Sequence, residues 1–268
     1  MTPGPVARDS VTPSGSTRGS KAPRPLEAVL LDVDDTLVDT RGAFTNAWRT
    51  LLGEYLPHLE ASELDAVVRH WRADAGGHYA AYAAGELDYE EQRLRRVNAL
   101  HARFGGPQLD GAGFETWNET FEKGFQAGWL AFDDAVAAVD ALRAVGVAVG
   151  VVTNAAAEYQ ALKLARAGFD GLPVLVGVDT FGFGKPDPRV FHAGAQRLGA
   201  DPGRTAYVGD ELHADAIGAH QAGLLGVWLD RPGTRRHVLP EADISAATGS
   251  GIVRITALTG LVDALGLE

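Results

Sequence analysis

The hydrophobic positions of this chain change their period twice. Residues 28–33, AVLLDV, are a continuous apolar run with one Asp near its end, the pattern of a strand buried on both faces as in a parallel sheet. From about residue 40 to 128 the pattern turns helical. RGAFTNAWRTLLGEYL, ASELDAVVRHWRADAGGHYAAYAAGEL, DYEEQRLRRVNALHARF and GFETWNETFEKGF predict four helices, punctuated at Pro57, Gly85 and the GGP of 105–107, as in a small helical bundle. From about 129 onward strand and helix alternate. VAVGVV (147–152) precedes AEYQALKLARAG, and PVLVGV (173–178) precedes a helix from Pro188 to Leu198. TAYVG (205–209) precedes LHADAIGAHQAG, and LGVWL (225–229) follows. ALTGLVDALG predicts a closing helix with Leu258, Leu261, Val262 and Leu265 on one face. The fold class is therefore α/β, a doubly wound parallel sheet with an all-helical insertion after its first strand. The expected divisions are a disordered tail at 1–25, rich in Pro, Ser, Gly and Thr, a core at 26–38 and 129–268, and the helical insertion at 39–128.

Composition narrows the function. Lys and Arg total 24 against 35 Asp and Glu, a formal charge of −11, which argues against nucleic acid or an anionic membrane as partner. A small anionic substrate remains compatible, because a metal or one lysine can invert the field inside a pocket. The absence of cysteine excludes disulfides, thiolate nucleophiles and Cys-based zinc sites, and fits a reducing compartment. No apolar run approaches the ~18–20 residues of a membrane span. The longest candidate, AVGVAVGVV (144–152), reads as a core strand with its lead-in. The first residues show no signal-peptide pattern, and their prolines oppose a transit helix. A cytoplasmic location is the expectation.

In open α/β sheets, functional groups gather beyond the carboxyl ends of the strands. The first strand ends in Asp32-Val33-Asp34-Asp35-Thr36 and the second in Thr153-Asn154. After the third comes Gly184-Lys185-Pro186-Asp187-Pro188, and the fourth ends in Gly209-Asp210-Glu211 with Asp215 five residues past Asp210. Each feature alone is commonplace: a cap, a surface lysine, a turn. Their order, each at a strand end, is not. DxDxT, then Thr, then Lys-Pro, then GDxxxxD resembles the haloacid dehalogenase-like (HAD) hydrolase superfamily over about residues 26–266. The insertion resembles the C1 helical cap of its subfamily I. The phrases LDVDDTLVDT, FGKPDPRVF and YVGDELHADAIGAHQAG fit its phosphatase branch, which acts on phosphoglycolate, acylneuraminate phosphates, nucleotides and flavin phosphates.

The resemblance implies a Mg²⁺-dependent phosphatase that hydrolyses a small phosphorylated metabolite through an aspartyl-phosphate. Asp32 would be the nucleophile and Asp34 the general acid/base. Thr153 would donate its hydroxyl to the phosphoryl group, Asn154 its backbone N–H, and Lys185 would neutralise charge. Mg²⁺ would be held by Asp32, the Asp34 backbone carbonyl, Asp210 and Asp215, the last directly or through water. Neither nucleic acid nor membrane is an expected partner, and nothing in the chain specifies an oligomeric state.

Other residues read more plainly. Asp35 caps the turn after the strand, and Thr36 hydrogen-bonds within that loop and steadies Asp34. Glu211 is either a neighbour of the metal or a solvated loop acid, and His213 a helix-surface histidine. His78, Tyr79 and Tyr82 are read as bundle residues rather than substrate contacts. Arg93 and Arg96 could meet a substrate anion, but a solvated helix face with Glu90 and Glu91 as partners is the expectation. Trp48, Trp71, Trp117 and Trp129 pack the cap or its junction, and Asp187-Pro188 begins a helix. Rival readings are a phosphomutase of the β-phosphoglucomutase kind, a 2-haloacid dehalogenase, which Asp34 opposes, and a non-catalytic binding or regulatory member.

Overall fold

The computed structural model describes residues 25–83, 86–235 and 238–267. Gly85, the Tyr82 side chain and the expected tail as far as residue 24 lie outside that description. Six parallel strands form one sheet in the order β3-β2-β1-β4-β5-β6: β1 Ala28–Leu31, β2 Ala148–Val152, β3 Val174–Val176, β4 Thr205–Gly209, β5 Leu225–Leu229 and β6 Val253–Ile255. The unbroken apolar run predicted for β1 has its cause here. The strand is central, with Ala28 level with Ala148 on one side and Thr205 on the other. Its side chains alternate between two cores. Val29 and Leu31 pack with Ala135, Val139, Leu142 and Leu261, whereas Leu30 packs with Val190, Phe191 and Tyr207.

Between β1 and β2 the chain builds α1 Thr40–Tyr55, α2 Leu64–Ala73, α3 His78–Ala83, α4 Tyr89–Phe104 and α5 Gly111–Ala127, followed by α6 Ala135–Ala144. Of these, α1, α2, α4 and α5 carry a core of their own around Trp48, Trp71, Val97, Leu100, Trp117 and Phe121. The rings of Trp48, Trp71 and Trp117 lie 5.2–6.0 Å apart. Trp129 sits instead at the junction, edge-on to Phe125 and Tyr159.

After β2 come α7 Ala157–Arg166, α8 Val178–Phe181, α9 Pro188–Arg197, α10 Gly218–Gln221, α11 Glu241–Gly249 and α12 Leu261–Ala264. Three expectations change. The long helix read across 61–87 is broken, because Asp74 takes φ 45° and ends α2 in a left-handed cap. The closing helix shrinks to α12, preceded by the unanticipated edge strand β6, which is too short and too exposed to show a period. The run at 173–178 is a strand only to Val176, and Val178 opens α8. Among the described residues no helix is long and apolar enough to cross a membrane.

Candidate active site

β1 hands its register to the site. The Asp32 N–H donates to Val208 O at 2.9 Å, so the residue stays in the ladder with β4. Asp35 then turns the chain with φ 59°. Its carboxylate accepts the Arg41 N–H at 2.9 Å, in the first turn of α1. That is the turn-capping role read from sequence. Thr36 departs from its expected role. Its hydroxyl is buried with no hydrogen-bond partner among the described residues. The hydroxyl that reaches Asp34 belongs to Thr40, at 2.5 Å, because the turn aims the start of α1 back at the strand end.

The end of β1, β4 and the turn after β4 meet at Lys185. Its ammonium contacts Asp32 Oδ1 at 2.7 Å, Asp215 Oδ1 at 2.8 Å and the Tyr207 hydroxyl at 2.7 Å. Tyr207 spends its own proton on Val152 O at 2.8 Å, which leaves its oxygen as an acceptor for the lysine. Asp215 comes back to the site on the wide helical turn Leu212–Ile217, and its Oδ2 accepts the Glu211 N–H at 2.9 Å. Gly209 makes room for it: a Cβ there would stand 2.3 Å from Asp215 Oδ2. Carboxylate oxygens of Asp32, Asp210 and Asp215 lie within 4.8 Å of one another.

The charges are unbalanced. Burial raises the pKa of Asp32, Lys185 opposes that, and Asp215 and Asp34 add to it, for a net rise. For Lys185, burial works to lower the pKa, but Asp215 and Asp32 outweigh it and hold the ammonium form firmly. Three crowded carboxylates against one lysine, all hard oxygen donors, suit a small divalent cation such as Mg²⁺.

Thr153 is buried at the end of β2. Its oxygen accepts from the Ala155 N–H at 3.3 Å and Gln160 Nε2 at 3.4 Å, leaving its own proton to donate. The Asn154 side chain is turned to Lys185: Oδ1 accepts the Lys185 N–H and Nδ2 donates to its carbonyl. Gly184 permits this approach, since a Cβ would meet Asn154 Oδ1 at 2.2 Å.

Asp34 has partners that strand-end reasoning missed. Lys163 Nζ and Gln160 Nε2, both on α7, reach its carboxylate at 2.5 Å each, on Oδ1 and Oδ2. Burial alone would raise this carboxyl's pKa, but Lys163, Thr40 and Gln160 together hold it below the usual carboxylate value. Lys163 and Gln160 are themselves buried. The signal in the sequence was a Gln and a Lys three residues apart, on one face of the helix that follows Thr153.

The insertion closes over this end of the sheet. The Tyr159 hydroxyl of α7 donates to Glu122 of α5 at 3.0 Å. A cavity of about 800 Å³ opens beside Thr40 and Asp35, walled by Arg41, Phe44, Trp71 and Tyr79 among others. Tyr79 is thus a half-exposed wall residue rather than bundle core. Arg93 also departs from expectation. It is buried, donates to the Tyr89 hydroxyl at 2.8 Å and lies over the Phe121 ring, because its side chain runs along α5 instead of into solvent. Arg96 caps the Trp71 ring at 4.0 Å and pairs with Asp74 at 3.4 Å. His213 is exposed, and Glu211 lies half-buried beside Asp215.

A family model described as haloacid dehalogenase-like hydrolase matches residues 26–223. The chain is 29% identical over 217 residues to the glyceraldehyde 3-phosphate phosphatase of Methanopyrus kandleri, covering 77% of this chain and 84% of that one. It is 37% identical over 232 residues to the phosphoserine phosphatase of Thermus thermophilus, covering 77% and 89%. Its fold matches the magnesium-bound HAD-hydrolase YfnB of Bacillus subtilis with a TM-score of 0.67 at 22% identity, over 90% of this chain and 99% of that one. The chain belongs to the haloacid dehalogenase-like hydrolases.

Proposed function

We propose that this protein is a Mg²⁺-dependent phosphatase that hydrolyses a small phosphate monoester through an aspartyl-phosphate on Asp32, with 26–38 and 129–268 as catalytic core and 39–128 as a C1-type cap. The observation that carries the reading is the Lys185 ammonium shared between Asp32 and Asp215, with Asp210 completing a three-carboxylate cluster. The phosphatases among its relatives support it. Asp32, Asp210 and Asp215, with the Asp34 backbone carbonyl, would hold the Mg²⁺. Once bound, the ion screens the carboxylates from the incoming phosphate and supplies positive charge to the phosphoryl group.

Lys185 fixes Asp32 Oδ1, so Oδ2 is the oxygen that attacks phosphorus as the bond to the leaving oxygen breaks. The negative charge of the incoming phosphate opposes the hold of Lys163, so Asp34 enters the reaction protonated and gives that proton to the leaving oxygen. It later takes one from the water that attacks the phosphoryl group, releasing phosphate and restoring Asp32. The Thr153 O–H and the Asn154 backbone N–H donate to phosphoryl oxygens, and Lys185 offsets the charge that develops. The cap encloses the ester and keeps bulky phosphoproteins out.

The test is hydrolysis of para-nitrophenyl phosphate. EDTA should abolish turnover, Mg²⁺ should restore it, and Ca²⁺ should not, since its higher, looser coordination misplaces the nucleophile. Full activity in EDTA would overturn the reading and favour metal-independent dehalogenase chemistry.

A further inference from the structure

An ionised carboxylate offers about four acceptor positions, two on each oxygen. At Asp34 three of them are taken. Thr40 Oγ1 and Lys163 Nζ both donate to Oδ1, and Gln160 Nε2 donates to Oδ2, each at 2.5 Å. Among the described residues nothing takes the second position on Oδ2. We propose that Lys163, with Gln160 and Thr40, is a positioning residue that makes this last position on Asp34 Oδ2 the acid/base atom of the reaction; the proposal builds on the phosphatase reading above.

Lys163 is itself fixed. Its ammonium lies 5.4 Å from the ring centre of Phe125, 5.6 Å from that of Trp129 and 5.7 Å from that of Tyr159. Its side chain is 3% exposed. A lysine stem is flexible, so an ammonium held to one carboxylate oxygen needs walls. Here the walls come from three places: α5 of the cap, the return segment after it, and α7. The aromatic faces favour the cation where water is excluded. Proton transfer needs its two oxygens within hydrogen-bond reach and in line, and a carboxylate free to rotate about χ2 would present either oxygen. With both positions on Oδ1 occupied by fixed donors, rotation breaks two hydrogen bonds at once. Closure of the cap over Lys163, together with the hydroxyl of Thr40 at the start of the cap's first helix, therefore locks the orientation of Asp34.

A series of substituted phenyl phosphates, from para-nitrophenyl to unsubstituted phenyl, tests this by leaving-group demand. Wild type must first turn over the series in Mg²⁺; if it turns over none, the phosphatase reading fails. In Lys163→Met the first-step rate on para-nitrophenyl phosphate should stay within about threefold, because that leaving group needs little protonation. The rate on phenyl phosphate should fall about 10²-fold, within the span of general acid catalysis. KM and the Mg²⁺ half-saturation should hold within about threefold. Lys163→Arg should recover about tenfold of the loss on phenyl phosphate. A purely structural role would slow both esters alike, and equal losses across the series, or a loss carried by KM or by Mg²⁺ affinity, would overturn the proposal. Should Lys163→Met fail to fold, Thr40→Val removes only one donor. It should show the same selective loss in smaller measure, and an unchanged leaving-group dependence in that variant would equally overturn it.

Discussion

The Asn154 side chain brackets the peptide unit of Lys185, with Oδ1 2.6 Å from the lysine N–H and Nδ2 3.0 Å from its carbonyl. One amide thus supplies the acceptor and the donor that an adjacent strand would have supplied. The loop carrying Lys185 is tied to the end of β2 although no strand pairs there.

From this, Asn154→Ala should cost stability and turnover together. Two partly buried backbone groups lose their partners, worth about 1–3 kcal/mol each where water cannot replace them. Lys185 should lose its fixed approach to Asp32. Urea melts and steady-state rates on para-nitrophenyl phosphate check this. A variant that melts like wild type and keeps its kcat would show that the bracket is idle.

Asp32→Asn should abolish turnover without destabilising the metal-free protein. The folded-state pKa of Asp32 is raised, foremost by burial. The folded state therefore binds the proton more tightly than the unfolded chain, and metal-free stability falls as pH rises from the ordinary carboxylate value through the folded one. A neutral amide removes that penalty. In EDTA at neutral pH the variant should melt at or above the wild-type temperature, and no phosphoryl-enzyme mass should appear. A clear drop in Tm would contradict the charge crowding described at the site.

Asp134 and Arg231 give the opposite pH sign. Arg231 meets both carboxylate oxygens at 3.0 and 2.7 Å, and the Leu258 N–H donates to one of them at 2.7 Å. Burial works to raise the pKa of Asp134, but Arg231 and Leu258 outweigh it, and it is lowered. Its stabilising contribution is therefore present above the ordinary carboxylate value and lost as pH falls through the folded one. Asp134→Asn should cost about 2–3 kcal/mol at neutral pH, between a charged hydrogen bond and a broken buried pair. The gap from wild type should narrow in melts near about pH 3, and a gap independent of pH would refute the pairing as its source.

In the cap, Trp117 is fully buried and its indole N–H has no hydrogen-bond partner among the described residues. Trp117→Ala should cost about 3–5 kcal/mol through the cavity it leaves. Trp117→Phe keeps an aromatic ring against Phe114 and Phe121 and removes the unsatisfied donor, so it should cost far less. Equal losses in the two would mean that the N–H is satisfied in solution.

The sequence by itself determined β1 to β5 and most of their ends, but not the short edge strand β6 or the early end of β3. Burial on both faces leaves a continuous apolar run, as in β1, and the chemistry of an open parallel sheet must emerge where such runs stop. Asp32, Thr153 and Asp210 each directly follow a strand, and Lys185 stands three residues before α9, so reading along the chain singles them out as candidates. What lies opposite a helix face is not written in its period. The Gln160 and Lys163 face of α7 could have met solvent, and only the packing of α7 beside the turn after β1 aims both at Asp34. The exchange of Thr36 for Thr40 has the same origin, since a turn with Asp35 at φ 59° decides which hydroxyl swings back. Arg93 was legible as a charge but not as a buried one, because aliphatic stem and charged head are placed by neighbours on α5. Local periodicity fixes which residues share a face. The tertiary structure decides what that face meets, because contacts between distant segments depend on how whole elements pack and not on the spacing within any one of them.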